Sequence, residues 1–154
     1  MSSSGPLSFR HLTRHDVALM HDLLTTFAEA FDDPATYNSA RPSKAYLENL
    51  LGGDHFIAIV AAKDGAVVGG LTAYELPKFE QERKEIYIFD LAVAAARRRE
   101  GIATALIQEL KKIAVTRSAY VIFVQADHGD APAIALYDTL GTKEQVLHFD
   151  IAVT

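Results

Sequence analysis

The chain contains no cysteine. That excludes disulfides, cysteine-ligated metal and any covalent intermediate carried on a thiolate. No apolar run approaches the roughly 20 residues that a membrane helix needs, so no membrane association is expected. The opening residues, Met1-Ser2-Ser3-Ser4-Gly5-Pro6, lack the basic stretch and apolar core of a secretory leader. They predict a disordered start over 1–6 and cytoplasmic residence. Basic residues are not in excess: 15 Lys and Arg stand against 20 Asp and Glu, a net charge of −5. Nucleic-acid binders carry basic stripes, and the only basic cluster, Arg97 to Arg99, is too local to be one. A mildly acidic surface suits a cationic ligand, although many proteins are this acidic. The six histidines show no His-Glu-x-x-His spacing, so no metal is expected. Both Gly-x-x-x-x-Gly-Lys-Ser/Thr and Gly-x-Gly-x-x-Gly are missing, which weakens the nucleotide and dinucleotide readings.

What is present is the balance of a soluble globular chain: 154 residues, 49% hydrophobic and 23% charged. One domain over 1–154 is expected, large enough for a substantial core. Leu7 to Leu12 reads as a strand. Thr13-Arg14-His15-Asp16 reads as a capping box with Asp in the Glu place. Val17, Met20, Leu23, Leu24, Phe27 and Phe31 then follow helical spacing, and Asp32-Asp33-Pro34 ends that helix. Pro42 and Ser43 open a second helix with Tyr46, Leu47, Leu50 and Leu51 inward and Gly52-Gly53 as its stop. Phe56 to Ala62 is a strand, and Asp64-Gly65 is a hairpin turn before a strand over Val67 to Leu76. A loop from Pro77 to Lys84 follows, and Val146 to Val153 reads as a last strand. The predicted order is β-α-α-β-β-β-α-β-α-β, an α/β (α+β) fold with helices flanking a mixed sheet.

The most informative stretch lies in the middle. Ile86-Tyr87-Ile88-Phe89-Asp90-Leu91-Ala92-Val93 is a strand, Arg97-Arg98-Arg99-Glu100-Gly101-Ile102-Ala103 a basic turn, and Thr104-Ala105-Leu106-Ile107 opens a helix. A helix start presents backbone N–H groups without intrahelical partners, and its dipole favours an anion. Gly101 allows close approach to the backbone, and the arginines add guanidinium forks that match phosphate. The inference is a diphosphate seated on this helix.

The pattern Arg98-x-x-Gly101-x-Ala103 resembles the Gln/Arg-x-x-Gly-x-Gly/Ala signature of the GNAT superfamily of acetyl-coenzyme A-dependent N-acetyltransferases. A second segment matches downstream. Tyr120 to Asp127 is a strand, and Asp130-Ala131-Pro132 caps and opens a helix that carries Leu136-Tyr137 and stops at Gly141. The resemblance implies a mixed, mostly antiparallel sheet with splayed fourth and fifth strands. It implies that Leu91, Ala92 and Val93 meet the pantetheine arm, and that Arg98, Arg99, Glu100, Gly101, Ile102, Ala103 and Thr104 meet the pyrophosphate. Tyr137 would then stand beside the coenzyme sulfur. Arg98 in place of the commoner Gln is allowed by the pattern, whereas Ala103 in place of Gly leaves the backbone less free. Further segments, among them Ala35-Thr36-Tyr37, Leu76-Pro77-Lys78-Phe79-Glu80-Gln81, Val124-Gln125-Ala126-Asp127 and His148-Phe149-Asp150-Ile151, resemble the GNAT-type aminoglycoside 3-N-acetyltransferases. That likeness covers most of the chain, and it implies an aminoglycoside acceptor, acetyl-CoA as co-substrate and a homodimer. A GNAT enzyme for a polyamine or another small amine is the alternative, and a coenzyme-binding module without turnover is a third reading.

Acetylating an amine requires a base for its proton. Asp90 interrupts an apolar strand, and a buried unpaired carboxylate is costly, so it is the candidate base or amine-binding anion. Its structural alternative is pairing with a nearby Arg or N–H. Asp150 interrupts the last expected strand in the same way. Glu80, Glu85, Asp127 and His128 are further candidates for the acceptor wall, set against the simpler reading of a solvated loop. Tyr137 is the candidate general acid, since a phenol of pKa about 10 stays protonated at neutral pH. With no cysteine to carry the acetyl group, direct attack in a ternary complex is the default.

Overall fold

The computed structural model describes residues 5–154. The disorder expected over 1–6 lies outside the described residues for 1–4, while the Gly5 N–H donates to the Asp64 carboxylate. Five strands form one sheet in sequence order: β1 (Ser8–His11), β2 (Phe56–Lys63), β3 (Ala66–Pro77), β4 (Lys84–Val93) and β5 (Ala119–Val124). The first four pair antiparallel, with the Asp64-Gly65 turn joining β2 to β3. β5 lies parallel to β4, as it must when a helix carries the chain back across the sheet. That crossover is α4 (Ile102–Thr116).

Two apolar layers cover the sheet. Ile102, Leu106, Ile107, Leu110 and Ala114 of α4 pack on Ile57, Ile59, Leu71, Ala73, Ile86 and Ile88. On the other face, Met20, Leu23 and Phe27 of α1 (Val17–Ala30) and Leu47 and Leu51 of α3 (Lys44–Gly52) pack on Phe56, Ala58, Val60 and Ala92. α1 is pressed close to β3 at Gly70. A Cβ there would overlap the end of Leu23 and stand 2.7 Å from the Ile59 carbonyl oxygen. Gly70→Ala is therefore expected to destabilise the fold by ~1–3 kcal/mol through overpacking, read as a lower midpoint in urea unfolding.

Four expectations need correction. Thr13 to Asp16 does not start a helix. Asp16 turns back to accept from the Thr13 N–H at 2.8 Å and pairs with Arg10 at 3.0 Å, so α1 begins at Val17 without a side-chain cap. A short helix, α2 (Pro34–Asn38), fills the gap after α1, with Asp33 capping Thr36 and Pro34 in its first turn. Tyr46 is exposed, since α3 buries only Leu47 and Leu51. Residues 146–153 form no strand: none pairs with β5, and Phe149, Ile151 and Val153 are 77%, 87% and 98% exposed. Their alternation is that of a strand, but no strand of the sheet pairs with them.

Besides a register shift between β2 and β3 at Ala61 and Ala62, two irregularities of β4 shape the site. Thr72 faces Asp90 and Ala73 faces Ile88, which leaves Phe89 as an extra residue in a bulge. Its parallel ladder with β5 ends at Ile88 and Val124. From there to Val93, β4 has β3 on one side and no strand on the other, the splay expected of the fold.

Candidate active site

The bulge decides where Asp90 points. Ile86 and Ile88 face α4; an unbroken strand would turn residue 90 the same way. One extra residue re-aims it, and Asp90 projects toward α1 and α2 with Ala92, which belongs to the α1 layer. There the Tyr37 hydroxyl, on α2, donates to Asp90 Oδ2 at 2.8 Å. Burial pushes the Asp90 carboxyl above the usual carboxylate range, and the Tyr37 bond pulls partly back. The Tyr37 phenol is pushed well up by burial and by Asp90, so it stays a donor at any working pH. Around the pair runs a file of rings: Phe56 to Tyr74 at 5.3 Å, Tyr74 to Phe89 at 5.8 Å, Phe89 to Tyr87 at 6.0 Å and Tyr87 to Phe123 at 4.7 Å. Phe89 is 58% exposed, offering an open apolar surface beside one poised carboxylate.

The opening beyond Ile88 holds backbone that no strand pairs. Ala94 N–H bonds the Val68 carbonyl across β3, so by strand alternation the peptide groups of Leu91 and Val93 point the other way, into the opening. The chain then turns through a 3₁₀ segment (Ala95–Arg97) to Gly101, which caps α4 with φ +77° and no side-chain hydrogen bond. Arg99, at φ 67°, also sits in the left-handed region. The first intrahelical bond of α4 is donated by Ala105 to Gly101, leaving the N–H groups of Ile102, Ala103 and Thr104 without helix partners. A Cβ on Gly101 would meet nothing within 4 Å. Open space in front of free N–H donors, with Arg98 at the rim (its Nε bonded to Val93 O at 3.5 Å), fits a pyrophosphate. Glu100 is turned away from it, paired to Lys63 at 3.2 Å.

Tyr137 stands on α5 (Ala131–Asp138), which Asp130 caps through the Ala133 N–H. It packs against the α4 layer at the rim that also carries Leu91, Val93 and Val124, and burial raises its pKa. Asp90 and Tyr137 thus belong to opposite faces of the opening. The other expected carboxylates are not gathered here. Glu80 pairs with Arg83 at 3.5 Å and Lys78 at 3.7 Å, and Glu85 with Lys78 at 3.6 Å and the Tyr120 hydroxyl. Asp127 and His128 lie in the exposed turn before α5. Asp150 is exposed and bonded to His148 at 2.9 Å. Sequence reasoning missed Tyr37 as the partner of Asp90, because the two are 53 residues apart and only the fold joins them. It also missed the ring file and the buried Glu75, which pairs with Lys84 at 3.5 Å and Arg117 at 3.8 Å at the opposite end of β4. No group of three or more His, Asp or Glu that could hold a metal occurs among the described residues, and no helix among them is long and apolar enough to cross a membrane.

The acetyltransferase (GNAT) family model matches residues 18–142. Among solved structures, an aminoglycoside acetyltransferase from an uncultured soil metagenomic sample is 59% identical, with a TM-score of 0.95 over 97% of this chain and 99% of that one. A second soil metagenomic aminoglycoside acetyltransferase, solved in complex with sisomicin, is 30% identical, with a TM-score of 0.89 over 96% and 97%. A ribosomal-protein-alanine N-acetyltransferase from Brucella melitensis is 25% identical, with a TM-score of 0.74 over 95% and 98%. No curated protein matches the sequence. The family match covers most of the chain and falls on the parted strands and the open helix start, and the chain belongs to the GNAT family of acetyl-CoA-dependent N-acetyltransferases.

Proposed function

We propose that this enzyme acetylates the 3-amino group of 2-deoxystreptamine aminoglycosides of the gentamicin type, conferring resistance to them. One observation carries the reading: a single half-buried carboxylate, Asp90, held by Tyr37 at the mouth of the opening with exposed rings beside it. Aminosugars offer cationic nitrogens for the carboxylate and apolar ring faces for Phe89 and Tyr74. The 59% and 30% identities to aminoglycoside acetyltransferases support the acceptor class, and the sequence resemblance supports the 3-position. Residence in the cytoplasm and action as a homodimer belong to the same reading.

Acetyl-CoA supplies the acetyl group as a thioester when bound. The free N–H groups of Ile102, Ala103 and Thr104, with Arg98 and Arg99, would hold its pyrophosphate. The peptide groups of Leu91 and Val93 would continue the sheet along the pantetheine arm and polarise the acetyl carbonyl. Asp90 takes the proton of the acceptor ammonium, freeing the lone pair that forms the new N–C bond as the C–S bond breaks. Tyr137 donates its phenol proton to the departing sulfur from the other face, and the second proton, shed by the new amide nitrogen, restores the phenol through solvent. A thiolate leaves readily because its thiol pKa is only about 8.5. Tyr137→Phe is therefore expected to cost about tenfold in kcat, below the usual range for a general acid, with acetyl-CoA affinity unchanged by calorimetry.

The reading is tested on product. Gentamicin and acetyl-CoA are incubated with the enzyme, and the purified product is located by mass and two-dimensional NMR. Acetyl on the 3-amino nitrogen is expected; acetyl on another amine overturns the regiochemistry.

A further inference from the structure

We propose that Arg41 is a positioning residue: its guanidinium clips α2 to α1 and so holds the Tyr37 hydroxyl on Asp90. The proposal rests on Asp90 serving as the base in the reading above, while the clip itself is argued from geometry.

α2 has little else to hold it. It buries none of its five residues, and a helix this short does not persist alone in water. Its apolar anchor is the Tyr37 ring, 5.8 Å from Phe27 and 5.7 Å from Phe31. Arg41, half-buried in the loop that follows α2, supplies the rest. Its Nε donates to the Tyr37 carbonyl at 2.8 Å and its Nη2 to Asn38 Oδ1 at 2.6 Å, both on α2. On α1, Nη1 donates to His21 Nδ1 at 2.9 Å and to the His21 carbonyl at 3.0 Å, and Nη2 to Thr25 Oγ1 at 3.0 Å. A guanidinium has five N–H donors in a fixed fork, and every one has an acceptor here. None of the five acceptors is a carboxylate, so the residue is used for its shape rather than for ion pairing. His21 and Thr25 flank Leu23, which is fully buried and pressed against Gly70 of β3. A rigid path therefore leads from the sheet through α1 and Arg41 to the Tyr37 backbone.

The far end of that path is the 2.8 Å bond from the Tyr37 hydroxyl to Asp90 Oδ2. The bond engages one carboxylate oxygen and leaves the other to meet the acceptor ammonium. It also favours the ionised carboxylate, in opposition to burial. Arg41 reaches Asp90 only through Tyr37, since burial and the Tyr37 bond are what set the Asp90 carboxyl. The other titratable groups beside the pair are Tyr74 on β3 and Asp33 at the head of α2. Neither is cationic, so neither replaces the bond. Among the acceptors of the clip only the His21 ring titrates, and four remain when it does.

Carbon-13 NMR of the side-chain carboxyls follows the Asp90 titration in the full chain, assigned by its loss in Asp90→Asn. Arg41→Ala is expected to move that titration to higher pH, as Tyr37→Phe does. The double variant should go no further than Tyr37→Phe alone. Arg41→Lys keeps the charge but offers three donors from a single point, and it should behave as Arg41→Ala does. Thr25→Val removes one acceptor from an exposed position, and a smaller shift in the same direction is expected. In kcat/KM with gentamicin, Arg41→Ala should lose about tenfold on the acid limb, the order of one hydrogen bond to a charged group, and little on the alkaline plateau. A merely structural arginine would lower the melting temperature and leave the titration in place. An unmoved Asp90 titration in Arg41→Ala overturns the proposal, as it does in Thr25→Val should Arg41→Ala fail to fold. So does an Arg41→Lys variant that matches the parent, or a double variant whose shifts add. A moved titration without turnover of gentamicin upholds the clip and counts against the aminoglycoside reading alone.

Discussion

Asp90→Asn is expected to lower kcat with gentamicin by ~10²–10⁴-fold, the range for removing a general base, while acetyl-CoA binds as before. The bulge at Phe89 turns this side chain toward Tyr37 and the opening. Asn keeps the shape and can still accept from Tyr37, but it cannot take the ammonium proton. Stability should not fall with activity. Burial raises the Asp90 pKa in the folded protein, so the fold prefers this carboxyl protonated. Its ionisation, as pH rises through that raised value, weakens the fold relative to the unfolded chain. The Asn variant, neutral at all pH, should therefore melt no lower than the parent at pH 7.5. The same shift sets the acid limb of kcat/KM: activity rises with pH as Asp90 ionises. Tyr37→Phe removes the one bond that lowers this pKa, and the limb should move to higher pH. A rate for Asp90→Asn within about threefold of the parent would remove Asp90 from the base's role.

Gly101→Val is expected to weaken acetyl-CoA binding by ~10²-fold or more, measured by calorimetry, with the fold retained. The residue holds φ +77°, where a side chain costs roughly 1–2 kcal/mol, a small part of a domain's 5–15 kcal/mol. Within the protein, an added Cβ meets no atom. The loss therefore falls on whatever occupies the space in front of the helix start, where a branched side chain would stand between the phosphates and the N–H groups of Ile102, Ala103 and Thr104. Gly101→Ala, smaller and carrying the Cβ part of the same backbone strain, separates most of the two costs: it should lose affinity less than Val does. Equal affinity in parent and Val variant would mean the pyrophosphate does not sit here.

The sequence made local features legible and left relations between distant residues hidden. Gly101 and the basic turn are contiguous, and so is the Asp130 cap with Pro132, so the α5 start is found where its residues predict it, while α4 begins at Ile102, two residues before the expected Thr104, because Gly101 itself caps it. Asp90 stood out as a charge in an apolar strand. Its direction did not, because nothing local marks the bulge: Phe89 is an ordinary strand residue, and the extra position exists only in register with Thr72 and Ala73. Tyr37 was visible as a tyrosine in a familiar segment, but its bond to Asp90 depends on how α1 and α2 lie on the sheet. Glu80 and Glu85 looked free in one dimension and are ion-paired in three. The alternation over 146–153 is real, yet a period of two makes a strand only where an edge receives it, and no strand of the sheet pairs with these residues.

The most direct test of the account measures thiol release from acetyl-CoA with gentamicin, spermidine and a peptide beginning with alanine as separate acceptors. Turnover with gentamicin is expected at a kcat/KM at least 100-fold above either alternative. Preference for the peptide or for spermidine, or release with none of the three, would contradict an aminoglycoside acceptor while leaving the family and its coenzyme site in place.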